Sequence, residues 1–295
     1  MLGLSNKYLG FMRVTKNTRY RRYKLPKPGG GSRVVYEADE PLRTVQYLIL
    51  QKELNKIELP DYLYAFEKGR NAREMAEMHV QKSFVLSYDL KDFFGSIKQR
   101  LIKEIFCRYF PEEKAVLLSE LVCFHNFVPQ GTVTAPKVAN IVVASTFGPE
   151  LVEYFKTLNA TFTVYADDLT VSFTRLLSPT EVKDITKMIV DTLYKYRLRL
   201  NHGKTKVMPF MTRQYVLGAT VNVKVNLPRE RRDRLKAAVH GLRVRGVEAE
   251  AQRFNVTPGE LLANIQGRIN WYRQLNPERG GRLYEQFQEI KKTLD

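Results

Sequence analysis

The 295-residue chain has a formal net charge of +17 and is 44% hydrophobic. That apolar content excludes a disordered polyelectrolyte, and no apolar run approaches the roughly 20 residues of a membrane-crossing helix. Two cysteines, Cys107 and Cys123, allow neither a disulfide framework nor a four-cysteine zinc site.

The length admits one large domain or two to three subdomains. The stretch Met1–Lys7 lacks the apolar core of a signal peptide, so the expected location is the cytoplasm. Nine Lys or Arg and no acid lie between Met1 and Tyr36, and eleven lie between Lys204 and Arg245 against Glu230 and Asp233. Blocks of one sign point to a polyanion, above all nucleic acid. A membrane surface fits less well, because the basic segments lack a long apolar face.

In chain order, residues 1–20 are basic, aromatic and in part helical. Tyr23–Tyr36 predicts a hairpin around Pro28-Gly29-Gly30-Gly31 with cations beside the turn, a loose surface loop being the alternative. Pro41 to Leu54 shows helical spacing at Leu42, Val45, Leu48 and Ile49. Asn71 opens a helix toward His79, which reads as a structural side chain holding the Tyr64–Arg70 loop by a hydrogen bond. Phe84–Tyr88 is a strand that runs out at Asp89. Helices are expected from about Lys98 to Phe110 and from Pro111 to His125. A loop with prolines at both ends, Phe127–Pro136, precedes one long helix from about Pro136 to Phe155.

Strand-like residues then flank Tyr165-Ala166-Asp167-Asp168, which reads as a hairpin with two carboxylates at its turn. Ser178 and Glu181 form a capping box for a helix to about Tyr196. Pro228 suits the first turn of a helix whose apolar stripe is Leu235, Ala238, Val239 and Leu242. Thr257 and Glu260 open another, burying Leu261, Leu262, Ile265, Ile269 and Tyr272. On that helix Arg268 and Arg273 face nucleic acid, and Trp271 either does so or belongs to the core.

Aspartate is a poor strand residue, so Asp167-Asp168 between β-formers needs a reason. One is a tight turn. The other is a divalent cation, which offsets the repulsion of adjacent anions. Asp89 ends a strand in the same manner, although it also reads as a helix N-cap ahead of Leu90. Neighbouring strands would bring three carboxylates to one sheet end. That suits two hard cations about 3.5–4 Å apart, as used for in-line nucleotidyl transfer.

Tyr165–Asp168, the Asp89–Phe94 block and Pro129-Gln130-Gly131 resemble motifs C, A and B of reverse transcriptases, in order and spacing from about Tyr23 to about Arg234. Arg199–Val207 resembles motif D and Gln214–Val221 motif E. With no other domain attached, the chain most resembles the retron branch. It departs from that branch twice: Met75 stands where an Asn precedes Ala76, and Leu217 stands in a Val-Thr-Gly motif.

The resemblance implies an α/β (α+β) right-hand polymerase: N-terminal segment and fingers over 1–80, an antiparallel-sheet palm over 81–225 with fingers elements near 98–128, and a helical thumb over 226–295. It implies Asp89, Asp167 and Asp168 as catalytic, and these with Leu90 as holders of two Mg2+, or Mn2+. Lys27, Arg33, Asp92, Phe93, Phe94 and Gln130 would meet the nucleotide, Arg33 through its phosphates. Phe94 is the implied barrier to a 2′-hydroxyl, with Phe93 as core. Gly131, Tyr165, Lys204, Lys206, Leu217, Gly218, Arg229 and Arg232 would meet primer or template. Lys204 reads either as a general acid toward pyrophosphate or as a solvated lysine.

The implied reaction is RNA-templated DNA synthesis from deoxynucleoside triphosphates. It starts at a 2′-hydroxyl of a structured non-coding RNA and yields multicopy single-stranded DNA joined to RNA. An effector protein in phage defence is the implied partner. Another bacterial reverse-transcriptase branch, an RNA-dependent RNA polymerase and a catalytically dead RNA-binding scaffold are the alternatives.

Overall fold

The computed structural model describes residues 2–27 and 30–292; Pro28 and Gly29, within the expected glycine turn, lie outside the described residues. The first part of the chain forms α1 (Asn6–Thr15), β1 (Tyr20–Pro26), β2 (Ser32–Ala38), α2 (Glu40–Lys52), α3 (Ala72–Glu77), β3 (Phe84–Asp89), α4 (Phe93–Ser96), α5 (Gln99–Phe106) and α6 (Glu112–Leu121). There follow α7 (Ala135–Ser145), α8 (Phe147–Thr157), β4 (Thr161–Tyr165), β5 (Asp168–Phe173), α9 (Pro179–Lys195), β6 (Lys206–Pro209), β7 (Tyr215–Val216) and β8 (Ala219–Thr220). Four helices close the chain: α10 (Arg229–Arg245), α11 (Val247–Phe254), α12 (Pro258–Leu275) and α13 (Pro277–Lys292). The main sheet has the order β4-β5-β3-β6, and β1-β2 and β7-β8 are separate hairpins. Among the described residues no helix is long and apolar enough to cross a membrane.

The chain divides into two compact units: Met1–Asn71, Leu86–Val171 and Leu177–Lys206 form the first; Ala72–Val85, Ser172–Leu176 and Val207–Asp295 the second. In the first, β1 and β2 pair antiparallel from Tyr20 opposite Ala38 to Pro26 opposite Ser32, so the cationic segment is a true hairpin. Tyr20 and Tyr36 pack on Phe124 with ring centroids 4.9 and 5.0 Å apart. Phe124 and Phe127 exchange backbone hydrogen bonds. These pairings take the chain out of helix, so α6 stops at Leu121 short of the expected His125. Its predecessor α5 ends at Phe106 rather than Phe110.

The single helix expected over Pro136–Phe155 is two. The break falls at Thr146 (φ −126°, ψ −108°), whose hydroxyl donates to the Val142 carbonyl at 2.6 Å. A threonine bonding back to the turn before it offers the backbone an alternative to the helical ladder. Gly148 just beyond lies so close to Tyr62 that a Cβ there would come within 2.3 Å of its hydroxyl. On α7, Asn140 donates to the carbonyl of Ala65 and to Glu67, and Lys137 pairs with Glu67. These contacts and Arg70, which donates to the carbonyls of Pro60 and Leu63, fix the loop around Tyr64. The capping box at α9 is present as expected, with Ser178 and Glu181 bonded reciprocally.

In the second unit, the second capping box (Thr257, Glu260) opens α12. Helices α11 and α13 complete the set. α13 packs closely on α12: a Cβ on Gly280 would come 2.4 Å from the Cα of Arg273. His79 is buried, and its Nδ1 lies 2.7 Å from the hydroxyl of Ser172. Ser172 lies on β5, so this contact ties His79 to the sheet. Burial pushes its pKa down from 6.5 to about 3. A histidine neutral in the fold but protonated when unfolded loses stability as pH falls from about 6.5 toward 3. The slope is about 1.4 kcal/mol per pH unit for one proton. Unfolding followed at pH 7 and pH 5 should show this loss, and His79→Gln should flatten the pH slope.

Candidate active site

Tyr165 ends β4 and Asp168 begins β5, so Ala166-Asp167 is a two-residue hairpin connection. Ala166 adopts φ 55° there, a conformation in keeping with such turns. The aspartate pair therefore sits in a tight turn, the first of the two reasons its position called for. β5 lies beside β3, and the amide of Leu90 donates to the Asp167 carbonyl at 2.8 Å. The end of β3 is thereby stitched to the turn, which brings Asp89 near Asp167 and Asp168.

Asp89 is 8% exposed, and both its oxygens are engaged. Asn201 donates its side-chain amide to one at 3.1 Å, and Lys204 Nζ lies 2.8 Å from the other. The backbone amide of Asn201 also donates to the Asp89 carbonyl at 2.7 Å. Asn201 thus fixes Asp89 through main chain and side chain together. The sequence reading missed it; the only signal was its place in the Arg199–Val207 block. Lys204 is neither simply solvated nor free: its bond to Asp89 raises its pKa.

The electrostatics are those of a crowded anionic pocket. Burial, then the charges of Asp167 and Asp89, push Asp168 up to about 6. Burial is also the main cause of the upward shift at Asp167, with Asp89 adding to it. Lys204 opposes both shifts, Arg33 opposes the one at Asp167, and Lys206 the one at Asp168. Arg33 and Lys206 are exposed, so their cations border the site without filling it.

Among the described residues no three His, Cys, Asp or Glu side chains stand as a ready-made metal-binding group. The donor set nonetheless fits a divalent cation. It consists of three carboxylates, hard oxygen donors, and burial with neighbouring charge disfavours the ionised forms of Asp167 and Asp168. Lys204 is the stand-in cation on Asp89. Leu90 buries its side chain, leaving only its carbonyl to offer an ion.

The other anticipated residues fall as follows. Lys27 is exposed at the hairpin end. Asp92 is exposed in a left-handed conformation (φ 45°), and its carboxylate lies over Gly95. Phe93 is buried, whereas Phe94 is half-buried with its ring 5.7 Å from that of Phe93. The Gln130 carbonyl accepts from the Tyr36 amide at 2.8 Å, which docks the Pro129–Gly131 loop onto β2.

Leu217, Gly218, Arg229 and Arg232 belong to the second unit. Leu217 and Gly218, with φ 49° and 81°, make the tight turn between β7 and β8. Arg229 and Arg232 both reach Asp233, at 3.5 and 3.6 Å.

A family profile described as reverse transcriptase (RNA-dependent DNA polymerase) matches residues 25–231. The retron Ec86 reverse transcriptase of Escherichia coli is 27% identical over 80% of this chain and 74% of its own length. The retron Mx65 reverse transcriptase of Myxococcus xanthus is 29% identical over 90% of this chain and 63% of its own length. The retron Se72 enzyme of Salmonella heidelberg is 28% identical over 70% of this chain, which spans 55% of that relative. Among solved structures, apo telomerase from Candida tropicalis, truncated from its C-terminal domain, superposes with a TM-score of 0.51 at 14% identity over 72% of this chain and 55% of its own. That likeness shows the fold, a right-hand polymerase. The profile covers well over half the chain and includes the whole carboxylate pocket, and on these grounds the chain belongs to the reverse transcriptase family, and within it to the retron type.

Proposed function

We propose that this chain is an RNA-directed DNA polymerase that extends a primer hydroxyl on an RNA template at the Asp89–Asp167–Asp168 pocket. The observation that carries the reading is the gathering of three carboxylates where β3 meets the β4–β5 turn, with Asp167 and Asp168 both raised, inside the family match. In this reading Asp89, the Leu90 carbonyl, Asp167 and Asp168 hold two divalent cations, Mg2+ by preference. Bound there, such cations supply the charge that makes the primer hydroxyl acidic and neutralises departing pyrophosphate.

The remaining roles belong to this chain's own side chains. Asn201 keeps the Asp89 carboxylate aimed. Lys204 leaves Asp89 for the nucleotide phosphates, and Arg33 and Lys27 receive those phosphates from the hairpin side. The Gln130–Gly131 loop seats the nascent pair. We assign fingers, palm and thumb to 1–80, 81–225 and 226–295.

The retron relatives support a finer reading: priming from a 2′-hydroxyl of a structured non-coding RNA, a multicopy single-stranded DNA product, and service with an effector in phage defence. Purified protein given its candidate RNA, deoxynucleotides and Mg2+ should make DNA covalently joined to RNA. A product that is RNA, or no product on any primed RNA template, would overturn the reading.

Sugar choice gives a sharper test. Phe94 stands five residues beyond Asp89, and its ring is half-buried beside the pocket's strand end while Phe93 fills the core. A rigid ring beside the sugar leaves no room for a 2′-oxygen, since overlap in a close-packed site is costly. Phe94→Ala should narrow the preference for deoxynucleotides over ribonucleotides by roughly tenfold or more. The ratio of kcat/KM values for the two sugars on one template measures this, and unchanged discrimination in a folded variant would remove Phe94 from the role.

A further inference from the structure

We propose that a slot beside Trp271, between α10 and α12, receives one unpaired nucleotide of RNA by stacking its base on the indole. The proposal rests on the RNA-directed reading above and adds a site to it. A cavity of about 430 Å³ lies there, within the usual range for small-molecule sites. Leu227 and Leu235, both buried, supply its apolar lining, and the half-buried Trp271 borders it. Arg231, Arg234 and Arg268, all exposed, complete it. Trp271 and Gly267 also border a second hollow of about 530 Å³, so the indole has open space on more than one side.

The cations define the ligand. Among the described residues Arg231, Arg234 and Arg268 form no salt bridge, whereas Arg229 and Arg232 on the same α10 are drawn to Asp233 and Arg213 holds Glu230. Three guanidinium groups around a flat apolar ring call for an anion with a flat apolar face. A nucleotide has both: the base stacks and its phosphates meet the arginines. An acidic peptide brings charge without the ring. A continuous duplex keeps its bases stacked on one another, so single-stranded loops and ends are what such a surface recognises. Gly267 fits this use. A glycine inside a helix is unfavourable, yet here it borders both hollows, and a Cβ on it would meet nothing within 4 Å.

The test is direct, because Trp271 is the single tryptophan of the chain. Its fluorescence reports stacking without reference to DNA synthesis. Titration of the full chain with oligoadenylate of ten ribonucleotides should quench the emission. Inorganic polyphosphate, which brings charge without bases, should not, and a blunt RNA duplex should do so much less.

Gly267→Leu should fill the slot, abolish the quenching and weaken oligoadenylate binding about tenfold, the loss of one stacked base. Circular dichroism and thermal melting would confirm that the helices of this variant are kept. Arg268→Gln, an exposed change, should lower the log–log salt slope of binding by about one. Equal quenching by polyphosphate or by duplex, full quenching in folded Gly267→Leu, an unchanged slope in Arg268→Gln, or a preference for deoxyadenylate over the ribonucleotide would each overturn the proposal. DNA synthesis by the same preparation separates the two readings. Synthesis without quenching removes the slot and keeps the polymerase, and quenching without synthesis does the reverse.

Discussion

Asp168→Asn is expected to lower the rate of DNA synthesis by at least about a thousandfold, since charge stabilisation by a ligated metal is worth several kcal/mol of barrier. The same change should make the protein more resistant to heat at pH 8 in the absence of divalent cations. The reason lies in the pocket. Burial and the neighbouring charges of Asp167 and Asp89 hold the pKa of Asp168 at about 6, above its ordinary 3.8. A carboxyl whose folded pKa is raised keeps its proton in the fold after the unfolded chain has released it. Stability therefore falls as pH rises from about 4 to 6, and above that the full cost of the buried charge is carried. Asparagine has the same shape and no charge, so it escapes the cost.

Two melting series check this. Without metal, the variant should melt above the wild type at pH 8 and close to it near pH 4. With millimolar Mg2+, the wild type should rise and the variant should not. A variant that melts below the wild type at pH 8, or that retains synthesis, would show that these carboxylates are not a strained anionic pocket awaiting a cation. Such pairing of lost activity with gained stability is the mark of a site kept against its own repulsion.

What the sequence makes legible here is what is local. The boxes Ser178–Glu181 and Thr257–Glu260 each span four residues and cap the expected helices. The β1–β2 hairpin and the Tyr165–Asp168 turn are likewise short-range, and Asp89 was marked by a strand ending in an acid. The missing parts depend on distant partners. The break between α7 and α8 comes at Thr146, beside a Gly148 pressed against Tyr62, some 86 residues away in the chain. Asn201 is an ordinary loop residue until β3 brings Asp89 to it. The bond from Lys204 to Asp89 is hidden in the sequence for the same reason. Arg229 and Arg232 look equivalent to Arg231 and Arg234 in a string of letters; only the helix shows which are drawn to Asp233.

Gly131→Ala should cost stability as well as activity, and for a reason confined to the first unit. Gly131 has φ 107°, in the region that L side chains rarely adopt. A Cβ built there would come within 2.4 Å of Val35 Cγ1 and 2.9 Å of the Tyr36 carbonyl oxygen. The valine end can turn aside, but the carbonyl belongs to β2, and β2 is held in register by β1. Relief therefore requires the loop to lift, which breaks the bond from the Tyr36 amide to the Gln130 carbonyl. Backbone strain of this kind costs about 1–3 kcal/mol, and a lost buried hydrogen bond adds about 1 kcal/mol. For a chain of this size that corresponds to a fall of roughly 3–7 °C in Tm. Because the loop that lifts carries Gln130, synthesis should fall further than folding does at 25 °C, with KM for the nucleotide rising. Melting curves and nucleotide titrations on the same preparation separate the two effects. A Gly131→Ala protein with wild-type Tm and KM would mean that the loop does not rest on β2 as the Gln130–Tyr36 bond places it.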